Sequence, residues 1–382
     1  ALATAQEAVR YRRELTERNR DAFLPDLAGS MHNLATLQSE LGQREAGLAT
    51  AQEAVRYCRE LTERNRDAFL PDLAMSLNNL ATLQSEVGQR EAGLATAQEA
   101  VRYRRELTER NRDAFLPDLA MSLHNLAPLQ SEVEHREAGL ATAQEAVRYY
   151  QELTGRNRDA FLPGLAASLN NLANLQSEVG QREAALATAQ ESVRYYQELT
   201  ERNRDAFLPN LAGSLNTLAN LQSEVGQQEA ALATAQEAVR YRRELTERSR
   251  DAFLPHLTMS LNNLANLQSE VGQGEAALAT AQEAAHYYQE LTEGNRDAFL
   301  PDLAMSLGTL GLLNRSVQLN VEAANTLAEG LRLMLSYLPG HPFSPYRDLT
   351  RSLLVDYQRS VEEFGGKPDE ALLSAAMRVL DS

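Results

Sequence analysis

The chain has 382 residues and a formal net charge of −16, from 37 basic and 53 acidic residues. This excess of acid argues against a nucleic-acid partner, because phosphate contacts need a basic surface. No apolar run approaches the roughly 18–20 residues that span a bilayer, so no membrane partner is expected. The single cysteine, Cys58, excludes an internal disulfide and favours a reducing, cytoplasmic compartment.

The sequence repeats itself every 46 residues. The segment LATAQEAVRY begins at Leu2, and close copies of it begin at Leu48, Leu94, Leu140, Leu186, Leu232 and Leu278. Residues 47–92 and 93–138 are identical at 41 of 46 positions. Such a period predicts stacked helical repeats, each of which buries its apolar face against its neighbours. Because residue 1 falls inside a repeat and is not methionine, we expect a piece of a longer protein.

Two amphipathic helices are predicted within one repeat, residues 255–300. Proline suits a first helical position and disfavours helical geometry in the residue before it, so helix A is expected to begin at Pro255. Leucines recur at helical spacing from there, and helix A should end near Gly272 after about 17 residues. Helix B should run from about Gly274 to Gly294, or about 21 residues.

In chain order, residues 1–24 are predicted as a helix B without its helix A, and residues 25–300 as six near-identical A–B pairs. Residues 301–344 form a divergent seventh repeat. Residues 345–382 form a divergent eighth repeat that caps the stack, with a helix N-terminus at Ser344–Pro345. The whole array has about 17 helices by this count. The complete A helices are predicted to begin at Pro25, Pro71, Pro117, Pro163, Pro209, Pro255 and Pro301.

Six positions of the unit resemble the pattern of the tetratricopeptide repeat (TPR) family. That pattern has large apolar residues at positions 4 and 7 of helix A, small residues at positions 8, 20 and 27, and glycine at position 15. In residues 255–300 the corresponding residues are Leu261, Leu264, Ala265, Ala277, Ala284 and Gly272. The unit is longer than the usual 34 residues and has Gln268 instead of an aromatic residue at position 11, and it is similar to the kinesin-light-chain variety. The resemblance implies an all-α fold, an α-solenoid of stacked antiparallel helix pairs in a right-handed superhelix.

The copies differ mainly at positions 2, 5 and 9 of helix A and at the residue after the proline. These positions are three or four residues apart and form one stripe, which in TPR arrays lines the concave groove where peptides lie. One interpretation is an exposed face that drifts freely, and the other is a binding groove. Position 6 favours the groove, because an asparagine amide can both donate to and accept from a peptide backbone. The predicted groove residues are His32, Asn33, Asn78, Asn79, His124, Asn125, Asn170, Asn171, Asn174, Asn216, Asn220, Asn262, Asn263 and Asn266.

Charge near the groove predicts the partner. Glutamate recurs at position 13 near the rim, as in Glu86 and Glu132, and the central repeats have no Lys or Arg at positions 2, 5, 6 or 9. The TPR clamps that hold the C-terminal carboxylate of chaperones use basic residues there, so that binding mode is not expected. The expected ligand is a neutral or basic extended peptide segment of another protein.

The sequence therefore predicts a non-catalytic scaffold that binds a protein or peptide. The histidines are dispersed and no phosphate-binding or nucleophile motif occurs, so we expect no enzymatic activity, metal or cofactor. Two alternatives are a sensor or autoinhibitory arm of a larger protein with an ATPase switch or protease-like effector, and self-association through the open helix at residues 1–24. The helix B position of Cys58, which is Arg104 or Tyr150 in other copies, is interpreted as neutral drift.

Overall fold

The computed structural model describes residues 1–340 and 346–381. Within these ranges the chain forms 17 α-helices and one 3₁₀ turn, with no strand. Consecutive helices are joined by short connections and pack on each other within each of the two units defined below. The predicted all-α solenoid of stacked helix pairs is confirmed. The predicted helix start at Ser344–Pro345 lies outside the described residues.

Even-numbered helices from α2 to α14 are A helices, and odd-numbered helices from α1 to α15 are B helices. Their bounds are α1 Leu2–Arg18, α2 Arg20–Glu40, α3 Arg44–Arg64, α4 Arg66–Glu86, α5 Arg90–Arg110, α6 Arg112–Glu132, α7 Arg136–Arg156, α8 Arg158–Glu178, α9 Arg182–Arg202, α10 Arg204–Glu224, α11 Gln228–Arg248, α12 Arg250–Glu270, α13 Gly274–Gly294, α14 Arg296–Ser316, α15 Asn320–Tyr337, α16 Arg347–Glu363 and α17 Glu370–Asp381. The 3₁₀ turn is Leu338–Gly340.

Helix A begins earlier than the sequence pattern predicts. In the second repeat it begins at Arg66 instead of Pro71, because the Asn65 side chain caps the extra turn by accepting a hydrogen bond from the Ala68 amide (3.2 Å). Such a cap stabilises a helix by about 1 kcal/mol. Leu70 is fully buried in this turn, and its burial offsets the backbone hydrogen bond that the proline cannot donate. The predicted starts at Pro25, Pro71, Pro117, Pro163, Pro209, Pro255 and Pro301 are all wrong. An asparagine caps the extra turn in each of these helices except α12, where Ser249 makes no side-chain cap and the buried Leu254 lies in the same turn.

The extra turn lengthens helix A to 21 residues in α4, more than predicted. Residues 20–24, which the sequence pattern places with the first helix B, belong to α2. Helix B has the predicted bounds, since α13 runs from Gly274 to Gly294.

The chain divides into two compact units, unit 1 (residues 1–195) and unit 2 (residues 196–382), each described by itself. In unit 1, leucines of the A helices such as Leu70 and Leu77 pack with small residues of the B helices such as Ala100. Unit 2 repeats this arrangement around Leu261. At its C-terminal end, residues of α15, α16 and α17 share one cluster, which includes Leu327, Leu331, Met334, Leu353, Tyr357 and Leu372.

Small residues at position 20 allow helix B to pack closely on helix A. A Cβ atom added to Gly93 would lie 3.0 Å from the carbonyl oxygen of Ala81, and one added to Gly139 would lie 2.8 Å from that of Ala127. Later copies have a fully buried alanine there, as in Ala231. A larger side chain would push the two helices apart, so this contact sets their separation.

The turn between helix A and helix B needs one residue with positive φ. Gly88 has φ +80°, its amide donates to the Ser85 carbonyl (2.8 Å), and the next amide donates to the Gln84 carbonyl (2.8 Å). In the third repeat Glu134 takes this place with φ +66°. A residue with a Cβ atom adopts that conformation at a cost of about 1–2 kcal/mol.

We expect Glu134→Gly to stabilise the chain by about 1 kcal/mol, because glycine removes the strain and loses part of the gain to its freer unfolded state. The measurement is the midpoint of urea unfolding followed by circular dichroism. The matched control is Gly88→Glu, which should lower the midpoint by a similar amount. If neither variant moves the midpoint, the turn is not strained.

Candidate functional site

The four helix A positions of the predicted groove differ in burial. Position 2 is exposed, with Met75 and Met259 at 37% and 45% of their full exposure. Position 5 is the most enclosed, with Asn78 and Asn216 at 6% and 5%. Position 9 is exposed in five copies, Thr82, Asn174, Asn220, Asn266 and Leu312. We call the surface formed by positions 2, 5, 6 and 9 of successive A helices the helix A face, and describe it separately in each unit.

Position 5 links neighbouring A helices. Nδ1 of His124 lies 3.1 Å from Oγ of Ser168 on the next helix A. In unit 2, Nδ2 of Asn216 donates to Oγ of Ser260 (2.6 Å), and Asn262 accepts from the corresponding serine of α14 (3.0 Å). Side chains at this position therefore connect neighbouring A helices within each unit.

Several polar atoms at position 5 remain unsatisfied although they are buried. No described residue donates a hydrogen bond to the side-chain oxygen of Asn78, Asn170 or Asn216, and Nδ1 of His32 is also unpaired. A buried acceptor without a donor costs free energy, so these oxygens lower the stability of the stack unless an enclosed water donates to them.

Position 6 keeps more of its hydrogen-bonding capacity. Nδ2 of Asn79 donates to Oγ1 of Thr36 (3.2 Å), and Nδ2 of Asn171 lies 3.3 Å from Nδ1 of His124. Both asparagines keep a free side-chain oxygen. The position 6 asparagines that make no side-chain hydrogen bond to any described residue are Asn33, Asn125 and Asn263. These three amides can both donate and accept.

In unit 1 a depression of about 430 Å³ lies between the C-terminal halves of α6 and α8. Residues that line it include Pro128, Glu132, Arg136, Asn171, Asn174 and Glu178. The structure therefore brings together two predicted groove asparagines and two of the predicted rim glutamates. With two carboxylates and one guanidinium, the lining has an excess of negative charge.

The histidines of the helix A face are neutral at pH 7. Burial lowers the pKa of His124 to about 4. Burial also lowers the pKa of His32, and the nearby Asp72 carboxylate opposes this shift. Neutral rings can act as hydrogen-bond donors or acceptors here, but they add no positive charge to the face.

Stability should fall in acid because of His124. The unfolded ring titrates near 6.5 and the folded ring near 4, so protons bind preferentially to the unfolded chain as the pH falls between these values. The wild type should lose about 3 kcal/mol more than His124→Asn between pH 7 and pH 4. Asparagine is the matched replacement because four other copies have it at this position, Asn78, Asn170, Asn216 and Asn262. Urea unfolding at several pH values measures the difference, and equal pH dependence of the two proteins would contradict it.

Sequence analysis did not identify one buried position of helix B, which packs against the residue after the next proline. Its residues are Arg12, Cys58, Arg104, Tyr150, Tyr196, Arg242 and Tyr288, and all except Arg12 are buried. Nη1 of Arg104 pairs with Asp118, the residue after the next proline, at 2.8 Å. Tyr150 lies against Gly164 at the corresponding place, where a Cβ atom would fall 2.3 Å from its ring. The interpretation of Cys58 as neutral drift stays a prediction, but the contacts of Arg104 and Tyr150 show that this position packs against the residue after the next proline.

No helix in the described part of the chain is long and apolar enough to cross a membrane. Across residues 1–340 and 346–381, no group of three or more His, Cys, Asp or Glu side chains could hold a metal ion.

The structure is similar to several solved TPR structures. BtubC (BKLC) from P. vanneervenii is 20% identical, with a TM-score of 0.51 over 64% of this chain and 91% of that chain. A Signal Transduction ATPase with Numerous Domains (STAND) protein with a tetratricopeptide repeat sensor, from Pyrococcus horikoshii, is 11% identical, with a TM-score of 0.57 over 98% of this chain and 52% of that chain. The apo form of RapI is 15% identical, with a TM-score of 0.50 over 78% of this chain and 99% of that chain. At these identities the likeness concerns the fold, and it confirms the TPR resemblance.

Fold and repeat pattern together define a TPR-type helical repeat protein. A family model described as anaphase-promoting complex subunit 5 matches the chain six times, at residues 14–70, 61–112, 108–162, 153–209, 194–258 and 246–300. These matches cover more than half of the chain, which therefore belongs to this family. No curated protein matches the chain.

Proposed function

We propose that the chain is a protein-binding scaffold whose helix A face holds an extended peptide segment of its partner. The observation that carries the proposal is the unused hydrogen-bonding capacity of position 6. Asn125 and Asn263 make no side-chain hydrogen bond to any described residue, and Asn171 keeps its oxygen free beside a depression. Half-buried amides without partners are suited to a peptide backbone, which offers donors and acceptors whatever its sequence.

Spacing supports an extended ligand. Packed helices lie about 8–10 Å apart, and an extended chain advances about 3.3 Å per residue. A segment running across successive A helices would meet one position 6 side chain about every three residues. Each hydrogen bond gained in this way is worth about 0.5–1.5 kcal/mol.

Apolar contact is available next to the asparagines. Met121 is 41% exposed and lies one helical turn from Asn125 on α6. Methionine is flexible and polarizable, so it can adapt to side chains of different shape. Position 2 thus supplies apolar contact, while position 6 supplies hydrogen bonds.

Charge favours a neutral or basic segment in unit 1. Glu132 and Glu178 line the depression beside Asn171 and Asn174. Arg136 also lines it, and Nε of Arg90 lies 4.0 Å from Oε2 of Glu132, so these two bases balance part of the negative charge. A basic side chain of the ligand would be attracted to this lining, whereas an acidic one would be repelled.

Alanine substitution of Asn125, Asn171, Asn174 and Asn263 together should weaken partner binding without unfolding the chain. The expected loss in affinity is at least about thirty-fold, or about 2 kcal/mol, because several hydrogen bonds to the ligand are removed. The immobilised wild type is used to capture partners from lysate, and overlapping peptides of a captured protein are then titrated against wild type and variant. Circular dichroism checks that helicity is unchanged.

The matched control also carries four alanines, on the exposed face of helix B, at Arg56, Arg102, Arg194 and Arg240. It should bind the same peptides as the wild type does. Equal affinity of all three proteins for these peptides would move the binding surface away from the helix A face. Loss of helicity in the asparagine variant would show that these residues are structural.

A second candidate is the sensor arm of a larger protein. The similarity to a STAND protein with a TPR sensor favours it, and this chain covers only about half of that protein. In this case the helix A face would still bind a ligand, and binding would control an effector outside these residues. The encoding sequence on either side of this chain distinguishes the two candidates.

Self-association is a third candidate, favoured by the apolar exposure of α1. Tyr11 and Leu15 are 51% and 36% exposed there. Light scattering at several concentrations, with Tyr11→Arg as the comparison, separates a monomer from an assembly formed through α1.

A further inference from the structure

One buried arginine of unit 2 has no counter-ion. Arg242 of α11 is only 5% exposed, and no described residue forms an ion pair or a hydrogen bond with its guanidinium group. Burial lowers its pKa to about 10, so the group remains charged at pH 7. A buried charge without a partner is strongly unfavourable.

The guanidinium groups of the other arginines at this helix B position each have a partner on the following helix A, although Nε of Arg104 is unpaired like that of Arg242. Arg104 pairs with Asp118 at 2.8 Å. Nη1 of Arg12 donates to the backbone oxygen of Asp26 at 2.8 Å. Beside Arg242 the aspartate is replaced by His256, whose pKa is lowered by burial and further by the charge of Arg242. The repeat that contains Arg242 therefore retains the buried arginine but lacks the carboxylate that would pair with it.

The guanidinium group reaches the helix A face next to a glycine. A Cβ atom at Gly213, position 2 of α10, would lie 3.3 Å from Nη2 of Arg242. The repeat that contains the paired Arg104 has Met75 at position 2. Nε of Arg242 is enclosed and unpaired, whereas the two Nη groups are not enclosed. Because Gly213 has no side chain, the guanidinium group of Arg242 is accessible from the helix A face at this point.

We propose that Arg242, flanked by Gly213 and His256, is a carboxylate-binding subsite of the helix A face in unit 2. The planar guanidinium fork matches a carboxylate, which would supply the charge that Asp118 supplies to Arg104. The carboxylate belongs to an Asp or Glu side chain or to the C-terminus of the bound segment. The inference rests on the proposed function for that segment, and it adds one acidic group to a ligand that is otherwise neutral or basic.

Small carboxylates test the subsite without the partner. The probes are N-acetylglycine, which carries a terminal carboxylate, and the α-amide of N-acetylaspartate, which carries a side-chain carboxylate. N-acetylglycinamide and sodium chloride of equal ionic strength are the controls. At a probe concentration of about ten times Kd, the thermal midpoint of the wild type should rise by about 2 °C over the controls. The probe with the larger shift identifies the source of the carboxylate.

Three variants make the result specific. Arg242→Tyr, which copies Tyr196 and Tyr288, should lose the shift. His256→Asp should raise the midpoint in chloride and also lose the shift, because it supplies the counter-ion internally. Gly213→Met should lose the shift by covering the guanidinium. An absent shift in the wild type, or an equal shift in Arg242→Tyr, would overturn the subsite. Because no partner is used, failure of the proposed peptide binding leaves this result unaffected.

Discussion

The close contact between position 20 of helix B and helix A is the constraint on which the rest of the structure depends. At Gly139 an added Cβ atom would fall 2.8 Å from the Ala127 carbonyl oxygen. Every copy keeps a small residue there, Gly47, Gly93, Gly139, Ala185, Ala231, Ala277 and Ala323. Because helices this close can pack in few ways, each A–B pair presents the same surfaces to the next pair. The near-identical repeats therefore form a helix A face that repeats along each unit.

The positions of the helix A face differ in burial and in the contacts they make. Position 5 joins adjacent A helices, as in the hydrogen bond from Asn216 to Ser260, and it is largely buried. Positions 2 and 9 are mostly exposed, and position 6 lies between these extremes with amides that are partly unused. Variation between copies is therefore not a measure of ligand contact by itself. A change at position 5 alters how repeats join, whereas a change at position 2 or 9 alters what the surface offers.

Charge along the helix A face depends on a second layer of residues that lies beneath it. The buried helix B position pairs with the residue after the proline, and the pairs Arg104–Asp118 and Tyr150–Gly164 are chemically different solutions to one packing problem. Where the two positions do not match in charge, as at Arg242 and His256, an unpaired cation lies just below the surface. Near-identical repeats can in this way acquire different chemistry without changing the fold.

The sequence alone determined the period, the helix count, the bounds of helix B and the small residues at position 20, because each follows from local spacing repeated in every copy. It failed at the start of helix A, where the proline suggests a boundary but the Asn65 cap and the buried Leu70 extend the helix by more than one turn. It also could not separate His124, enclosed against Ser168, from Asn174, which is exposed. Burial and cross-helix pairing arise between residues more than 40 positions apart, so only the tertiary structure decided which side chains join neighbouring A helices and which remain exposed.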